Sequence, residues 1–184
     1  MLLAARSSDE AKALIDRGIA ADRSVPAATA YLLDTSDTAR NVRAALYPKP
    51  IRLVKPPLTV RVVKADPIED GHDVMSYITG RMTVDKLETL SFLPGALADH
   101  LTSVGGDLIG SSQMSSLRWL AAGATASYGT VSEPCNHTQK FPRPAVLIRH
   151  YLSGETAIED YWKSILWPAQ GLFIGEPLAS PYRH

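Results

Sequence analysis

The sequence predicts an α/β fold built in three layers, with helices flanking a mostly parallel sheet. Segments with strand patterns alternate with segments with helical patterns, which is typical of this fold class. The length of 184 residues suits one domain of ordinary size. No internal repeat or low-complexity tract interrupts the chain, and the best candidate boundary, at 48–57, would leave too few residues before it to fold alone. We therefore predict a single domain over residues 1–184.

The N-terminal segment carries a clear helix signal. Ser7 and Glu10 have the spacing of a capping box, and apolar residues recur behind them at helical intervals as far as Ile19. A short apolar run over 29–33 then predicts a buried strand. A second helix is predicted over 35–46, because polar capping residues begin this segment and two prolines follow it.

Strand patterns dominate the middle of the chain. Apolar residues alternate with other residues over 58–63, as they do in a strand with one buried face. A second run, over 74–79, predicts another strand that ends at Gly80. No period is convincing over 81–94, and 95–103 is predicted as a further strand.

Helix and strand signals alternate again in the C-terminal half. Ser112 is a suitable N-cap for a helix that runs to Ala122, and Gly123 is a suitable residue to end it. The elements predicted after it are a strand of small residues over 124–131, helices over 145–152 and 156–166, and a last strand over 171–174.

The composition excludes several classes of protein. Apolar residues make up 45% and charged residues 21% of the chain, which indicates a globular protein and not a disordered one. Lys plus Arg equals Asp plus Glu at 19 each, so the excess of basic residues typical of a nucleic-acid or acidic-membrane binder is missing. One cysteine excludes an intrachain disulfide framework. No apolar run could span a membrane, and the apolar stretch of residues 1–6 is too short for a signal peptide.

Polar residues border a stretch that carries little charge. Between residues 101 and 132 the only charged residues are Asp107 and Arg118, and small residues are dense there. Small residues suit either tight helix–sheet packing or the floor of a pocket. Ligand sites in parallel sheets gather where strands end, so polar residues at those ends are candidates. The candidate binding residues are Ser103, Gly105, Gly106, Ser112 and Gln113.

The single cysteine is a candidate nucleophile. Cys135 would act as one if His100 or His137 lay within hydrogen-bond reach to deprotonate it, and Glu133 or Asp99 would then orient that histidine. The alternative is a structural cysteine in a loop, with histidines that have no catalytic role. The sequence leaves both alternatives open.

No metal ion or cofactor is predicted. The helical histidine spacing of zinc enzymes is missing from the sequence, and so are the glycine-rich phosphate loop and the nucleophile elbow. The ligand is an unknown small molecule or a peptide, with no nucleic acid among the expected partners.

Four long motifs carry a resemblance to a known family. They are HLTSVGG at 100–106, GATASYGTVSEPCNH at 123–137, YLSGET at 151–156 and GLFIGEPL at 171–178. With them the chain closely resembles, from about residue 1 to residue 182, an uncharacterised bacterial family of conserved hypothetical proteins. Members of that family are longer at the N-terminus, so the chain resembles their C-terminal half, and longer members could be exported. The resemblance implies that the opening strands of the fold are missing. A sheet that begins with the strand at 29–33 would then leave an exposed edge or an uncovered apolar face. We therefore expect either a homodimer through the exposed edge or poor solubility.

The layout of the C-terminal part is also similar to that of gingipain-type cysteine peptidases, which have the caspase-like fold. In that clan the catalytic His precedes a Gly after one strand, and the Cys follows the next strand. The resemblance places these positions at Thr79-Gly80 and near His100, and neither position keeps the expected residue. It therefore implies a caspase-like fold without its usual dyad, which is a non-peptidase or binding module. The alternative is a cysteine-dependent hydrolase that uses Cys135 with His100 or His137.

Overall fold

A computed structural model describes residues 3–134 and 136–184 of the chain. The helices are α1 (Ser8–Ala21), α2 (Leu117–Ala122), α3 (Pro144–Leu152) and α4 (Ala157–Ser164). The strands are β1 (Ala28–Asp34), β2 (Ile51–Arg52), β3 (Leu58–Lys64), β4 (Val74–Thr79), β5 (Phe92–His100), β6 (Ala126–Thr130) and β7 (Gly171–Gly175). Short 3-10 helices cover Asn41–Leu46, Leu87–Thr89, Thr138–Lys140 and Pro168–Gln170. No helix in the described part of the chain is both long and apolar enough to cross a membrane.

The seven strands of the described chain form one sheet in the order β2-β3-β1-β4-β5-β6-β7. The five inner strands are parallel, and β2 and β7 are antiparallel to their neighbours at the two edges. The predicted α/β class with a mostly parallel sheet is therefore confirmed. Strand β1 lies inside the sheet, because it is paired with β3 on one side and with β4 on the other. Self-association through a sheet edge stays a prediction.

Helices cover the two faces of the sheet. Strand side chains point alternately to opposite faces, so Leu97 joins the core cluster that includes residues of α3 and α4, and Ala98 joins the cluster that includes Trp119 of α2. On the α2 side, Leu14 of α1 packs in a third cluster with Leu120 and Ile174. This arrangement gives the three predicted layers.

The predicted helix signals are confirmed at α1 and at the end of α2. The Ser7 side chain accepts a hydrogen bond from the Glu10 backbone N–H at 3.2 Å, as an N-cap does. Gly123 ends α2 with a φ of +115°, a conformation that glycine adopts without the steric cost of a Cβ.

Two predicted helices are shorter than their sequence patterns suggest. The prediction of a helix over 35–46 is wrong, because only residues 41–46 are helical and they form a 3-10 helix. Two of the predicted capping side chains bind distant groups instead: Thr35 Oγ1 donates to the Gly80 carbonyl oxygen at 2.8 Å, and Ser36 Oγ donates to Asp66 Oδ2 at 2.6 Å. Asp37 Oδ1 accepts from the Arg40 backbone N–H at 3.2 Å and so caps only the short turn that follows. The helix expected from Ser112 begins only at Leu117. Strand β2 had no signal in the sequence, because two residues are too few to show a period.

The strand predicted over 95–103 lies at 92–100 instead. The residues beyond its end leave the sheet because their backbone binds the neighbouring strand. Thr130 Oγ1 of β6 donates to the carbonyl oxygens of Thr102 and Ser103, at 2.7 and 2.8 Å.

Arg43 is a buried cation that holds the segment after β1 against the sheet. Its side chain is 1% exposed and forms an ion pair with Asp99 of β5, whose side chain is fully buried. Its guanidinium also donates to the carbonyl oxygens of Thr79 at 3.0 Å and Pro142 at 3.3 Å. The guanidinium carbon lies 5.7 Å from the centre of the Phe141 ring. One side chain thus joins three separate parts of the chain.

We predict that Arg43→Met destabilises the fold by about 3–5 kcal/mol, because it leaves the Asp99 carboxylate in the core without its partner. The free energy of unfolding in urea measures this loss. Arg118→Met is the matched control, because Arg118 is exposed on α2 and its replacement should cost less than about 0.5 kcal/mol. Adding Asp99→Asn to Arg43→Met should recover part of the loss. A loss below about 1 kcal/mol in Arg43→Met would contradict the prediction.

Candidate functional site

The carboxyl ends of β1, β4 and β5 meet at one edge of the sheet. From β1 the chain continues to β3 on one side, and from β3 it returns to β4 on the other side of β1. Ligands of open α/β sheets bind at the point where the strand order reverses in this way. We therefore expect a ligand site among the side chains at this edge.

The segment after β1 lies across this edge. Asn41 Nδ2 donates to Asp34 Oδ1 at 2.6 Å, at the end of β1. A Cβ on Gly80, just after β4, would overlap the carbonyl oxygen of Arg40, so only glycine permits this close approach. The backbone after β4 is thus covered by the segment after β1.

Arg40 belongs to the partly exposed rim of the edge. Its Nη1 lies 3.1 Å from Asp37 Oδ2, and its Nε donates to Thr102 Oγ1 at 3.3 Å. The Arg40 side chain is 22% exposed. A second partly exposed cation here is Arg81, just after β4, which is 27% exposed and paired with Asp66.

His100 lies at the end of β5 and is fully buried. Its Nδ1 accepts a hydrogen bond from the indole N–H of Trp119 at 2.9 Å, and its Nε2 donates to the carbonyl oxygen of Met114, also at 2.9 Å. Burial lowers the pKa of His100 to about 4, although the bond to the Met114 carbonyl opposes this shift. The imidazole is therefore held neutral, and both of its nitrogens are bonded within the core.

Thr79, at the end of the neighbouring strand β4, is as deeply buried as His100. It lies directly opposite His100 in the register of the two strands. Its backbone carbonyl accepts from Arg43. Neither strand end presents a nucleophile or a base at the surface.

The loop after β5 contains most of the candidate binding residues. Ser103, Gly105 and Gly106 are buried, and the Gly106 backbone N–H donates to the Thr130 carbonyl at 2.8 Å. A Cβ on Gly106 would overlap the carbonyl oxygen of Gly129 in β6. The small residues of this loop therefore permit close packing between the loop and the strand.

The other two candidates of this loop face outward to different extents. Ser112 is exposed, and Gln113 is half-buried. Gln113 Oε1 accepts from Thr102 Oγ1 at 2.6 Å and from the Val104 backbone N–H at 3.1 Å. Its amide oxygen fixes the start of the loop.

The loop after β6 carries the remaining candidates. Glu133 and His137 are exposed, and Cys135 lies outside the described residues. Lys140 is buried and its ammonium group donates to the carbonyl oxygens of Ser132 and Pro134, the latter at 3.1 Å. The structure thus separates the two candidate histidines, with His100 in the core and His137 at the surface.

Exposed apolar side chains surround this edge. The His137 ring lies 5.6 Å from the ring of Trp167, and the Val131 backbone N–H donates to the carbonyl of Gln170, so these loops adjoin the end of β6. The large apolar side chains exposed on the loops of this edge are Met82, Ile109, Val131, Leu166 and Trp167, with Ile109 99% exposed. Exposed apolar side chains mark a binding surface where they form one continuous patch.

Sequence reasoning missed the cations of this site. Arg40, Arg43 and Lys140 contact the edge or its loops, but each lies in a polar segment where charged residues are usually solvated. Only the count of arginines between Asp37 and Pro48 gives a signal, and it does not say which of them is buried. Within the described residues, no three His, Cys, Asp or Glu side chains are grouped closely enough to hold a metal ion.

Comparison of the chain with protein-family models, with curated proteins and with solved structures finds no match. The chemistry of the edge must therefore be argued from its own residues.

The neutral state of His100 predicts a pH dependence of stability. As the pH falls, the unfolded chain takes up the proton near pH 6.5 and the folded chain only near pH 4. The stability that this group contributes is present above pH 6.5 and is lost between those two values, by about 3 kcal/mol at most. Urea unfolding of the wild type and of His100→Gln should therefore differ in slope over this range, with the wild type losing more on acidification.

A second measurement keeps this prediction testable if His100→Gln does not fold. The ring-proton NMR signals of His100 in the wild type should stay at the neutral position down to about pH 5. Titration of those signals near the ordinary histidine pKa would contradict the prediction.

Proposed function

We propose that the chain is a non-catalytic member of the caspase-like fold that binds a peptide at the carboxyl edge of its sheet. The fold part of the proposal is supported by the placement of the two positions that the resemblance identifies. Thr79 and His100 end neighbouring parallel strands and face each other in register. Two catalytic groups that act together need such a placement.

The lack of catalysis is supported by one observation above all. Both positions are fully buried, and at His100 each ring nitrogen already has a partner in the core. A general base must reach the proton that it abstracts, and a buried imidazole with a pKa of about 4 is a weak acceptor at neutral pH.

Peptide binding is supported by the composition of the rim. The exposed apolar side chains of the edge suit the apolar side chains of a peptide, and Arg40 adds a cation beside them. Gln113 is half-buried, and its amide nitrogen is a donor beside the Thr102 hydroxyl. Interfaces that combine aromatic residues and arginine in this way are typical of protein recognition.

A cysteine-dependent hydrolase is the second candidate, and one observation directs it to His137. The ring of this histidine is exposed and belongs to the same loop as Cys135, whereas His100 is enclosed. Catalysis would then require an imidazolium at His137 that lowers the pKa of the thiol.

We predict no hydrolysis of a panel of fluorogenic peptides with varied residues before the scissile bond. The wild type, Cys135→Ala and His137→Ala should all match the enzyme-free rate. Turnover by the wild type that disappears in Cys135→Ala would overturn the proposal. The alkylation rate of Cys135 by iodoacetamide across pH gives an independent result. A thiol pKa well below about 8.5 that rises in His137→Ala would favour the hydrolase.

We predict that selection from a random peptide library on the wild-type protein enriches peptides that bind at the rim. The dissociation constant of an enriched peptide should rise by about tenfold or more in Trp167→Ala and in Arg40→Gln, because both remove rim contacts. Arg118→Gln is the control on α2 and should leave it unchanged. Failure to enrich any peptide, or equal affinity in all variants, would contradict peptide binding at this edge.

A further inference from the structure

A groove on the sheet lies away from the carboxyl edge, near the start of β1 and β3. It has a volume of about 510 Å³, which is the size of a small-molecule site. The side chains that line it come from the three strands β1, β2 and β3, from the loop 53–57 and from Asp73 before β4. The site proposed for a peptide contributes none of them.

The strand register places the polar lining on one face of the sheet. Thr29 is paired with Thr59, and Tyr31 with Arg61, while Arg52 of β2 is also paired with Thr59. Paired residues of neighbouring strands share a face. The residues between them, such as Ala30 and Val60, point instead to the core on the α3 and α4 side. The groove therefore opens on the opposite face.

The floor of the groove is fixed by Asp73. One oxygen of its carboxylate accepts from Thr29 Oγ1 at 2.6 Å, and the other accepts from the Tyr31 hydroxyl at 3.1 Å. These bonds hold the tyrosine ring in place. Asp73 is the one acidic side chain among the residues that line the groove, and it keeps its negative charge because both of its donors are neutral hydroxyls.

The two arginines of the groove are unpaired. Arg52 and Arg61 are exposed, and neither guanidinium has an ion-pair or hydrogen-bond partner within residues 3–134 or 136–184. They flank Thr59, which is directly opposite Arg52 and two residues from Arg61 along β3. Two cations with unused N–H donors therefore lie on the same face as the Thr59 hydroxyl, the Tyr31 ring and the hydrogen-bonded Asp73 carboxylate. The walls beside them are apolar, with Leu53, Val54 and Pro57.

We propose that this groove binds a small phosphate monoester with a compact apolar body. A phosphate dianion offers three terminal oxygens and can accept hydrogen bonds from both guanidiniums at once, whereas a carboxylate is satisfied by one. The hydroxyl of Thr59 donates to the same group, and the apolar body lies against the wall formed by Leu53 and Val54. The two guanidiniums thus favour a phosphate group over a carboxylate. Contact with the apolar wall favours an organic phosphate ester over inorganic phosphate.

Titration calorimetry of the full chain with phenyl phosphate tests the proposal. We expect saturable binding that weakens by about tenfold or more in Arg61→Gln and in Arg52→Gln, since each removes one guanidinium from the anion. Arg118→Gln is the matched control and should bind as the wild type does. All three substitutions replace exposed arginines, and unchanged thermal unfolding would show that each variant is folded.

Two further probes define the chemistry of the ligand. Inorganic phosphate should bind more weakly than phenyl phosphate, because it makes no contact with the apolar wall. Benzoate should also bind more weakly, because it carries one charge. No saturation by phenyl phosphate up to about 10 mM would overturn the proposal. So would equal affinity of benzoate, or equal affinity of the three arginine variants.

Discussion

The buried ion pair between Arg43 and Asp99 is the interaction on which the carboxyl edge of the sheet depends. Removing two charges from water costs several kcal/mol per ion, and their attraction compensates only when the remaining donors are also satisfied. The guanidinium meets that condition only in part. Its two Nη groups donate to the carbonyls of Thr79 and Pro142 and the Phe141 ring lies beside it, but its buried Nε has no hydrogen-bond partner among the described residues. Burial raises the pKa of Asp99 and the guanidinium opposes that rise. Contacts with three segments thus help to offset the free-energy cost of burying the ion pair. These segments cannot separate without exposing the ion pair to water.

This interaction is one of several that fill the carboxyl edge of the sheet with bonded protein groups. The carboxyl edge of a parallel sheet is usually where loops leave room for a ligand. In this chain the polar groups of the edge are bonded to one another: His100 to Trp119, Thr130 to the loop after β5, and Gln113 to Thr102. The ends of β4 and β5 are therefore occupied, and the space left for a ligand is the rim above these bonds and a cavity of about 430 Å³ at the ends of β1 and β3. A binding function at the surface fits this arrangement better than chemistry between β4 and β5.

The regular elements of the fold were predictable because their signals are local. The alternation of strand and helix patterns identified the α/β class, and the strands at 58–63 and 74–79 are found where their periods place them. The helix predicted over 35–46 does not form before residue 41, because Thr35 and Ser36 bind the distant Gly80 carbonyl and Asp66 carboxylate, and a single sequence contains no record of such contacts. The same limit applies to the site. Trp119 is 19 positions from His100 in the chain, so no spacing rule could show that this imidazole is bonded in the core.

The arginines show why formal charge alone says little about binding. The chain is neutral overall, with 19 basic and 19 acidic residues, and this balance argues against a basic surface of the kind that binds nucleic acid. It does not describe where each charge is neutralised. Arg43 is paired in the core and Arg40 is paired at the rim, whereas Arg52 and Arg61 have no acidic partner across their groove. Because two arginines, Arg52 and Arg61, and one carboxylate, Asp73, line the groove, it keeps a local excess of positive charge within a neutral protein. A small anion is attracted by that local excess, and the net charge of the chain does not oppose it.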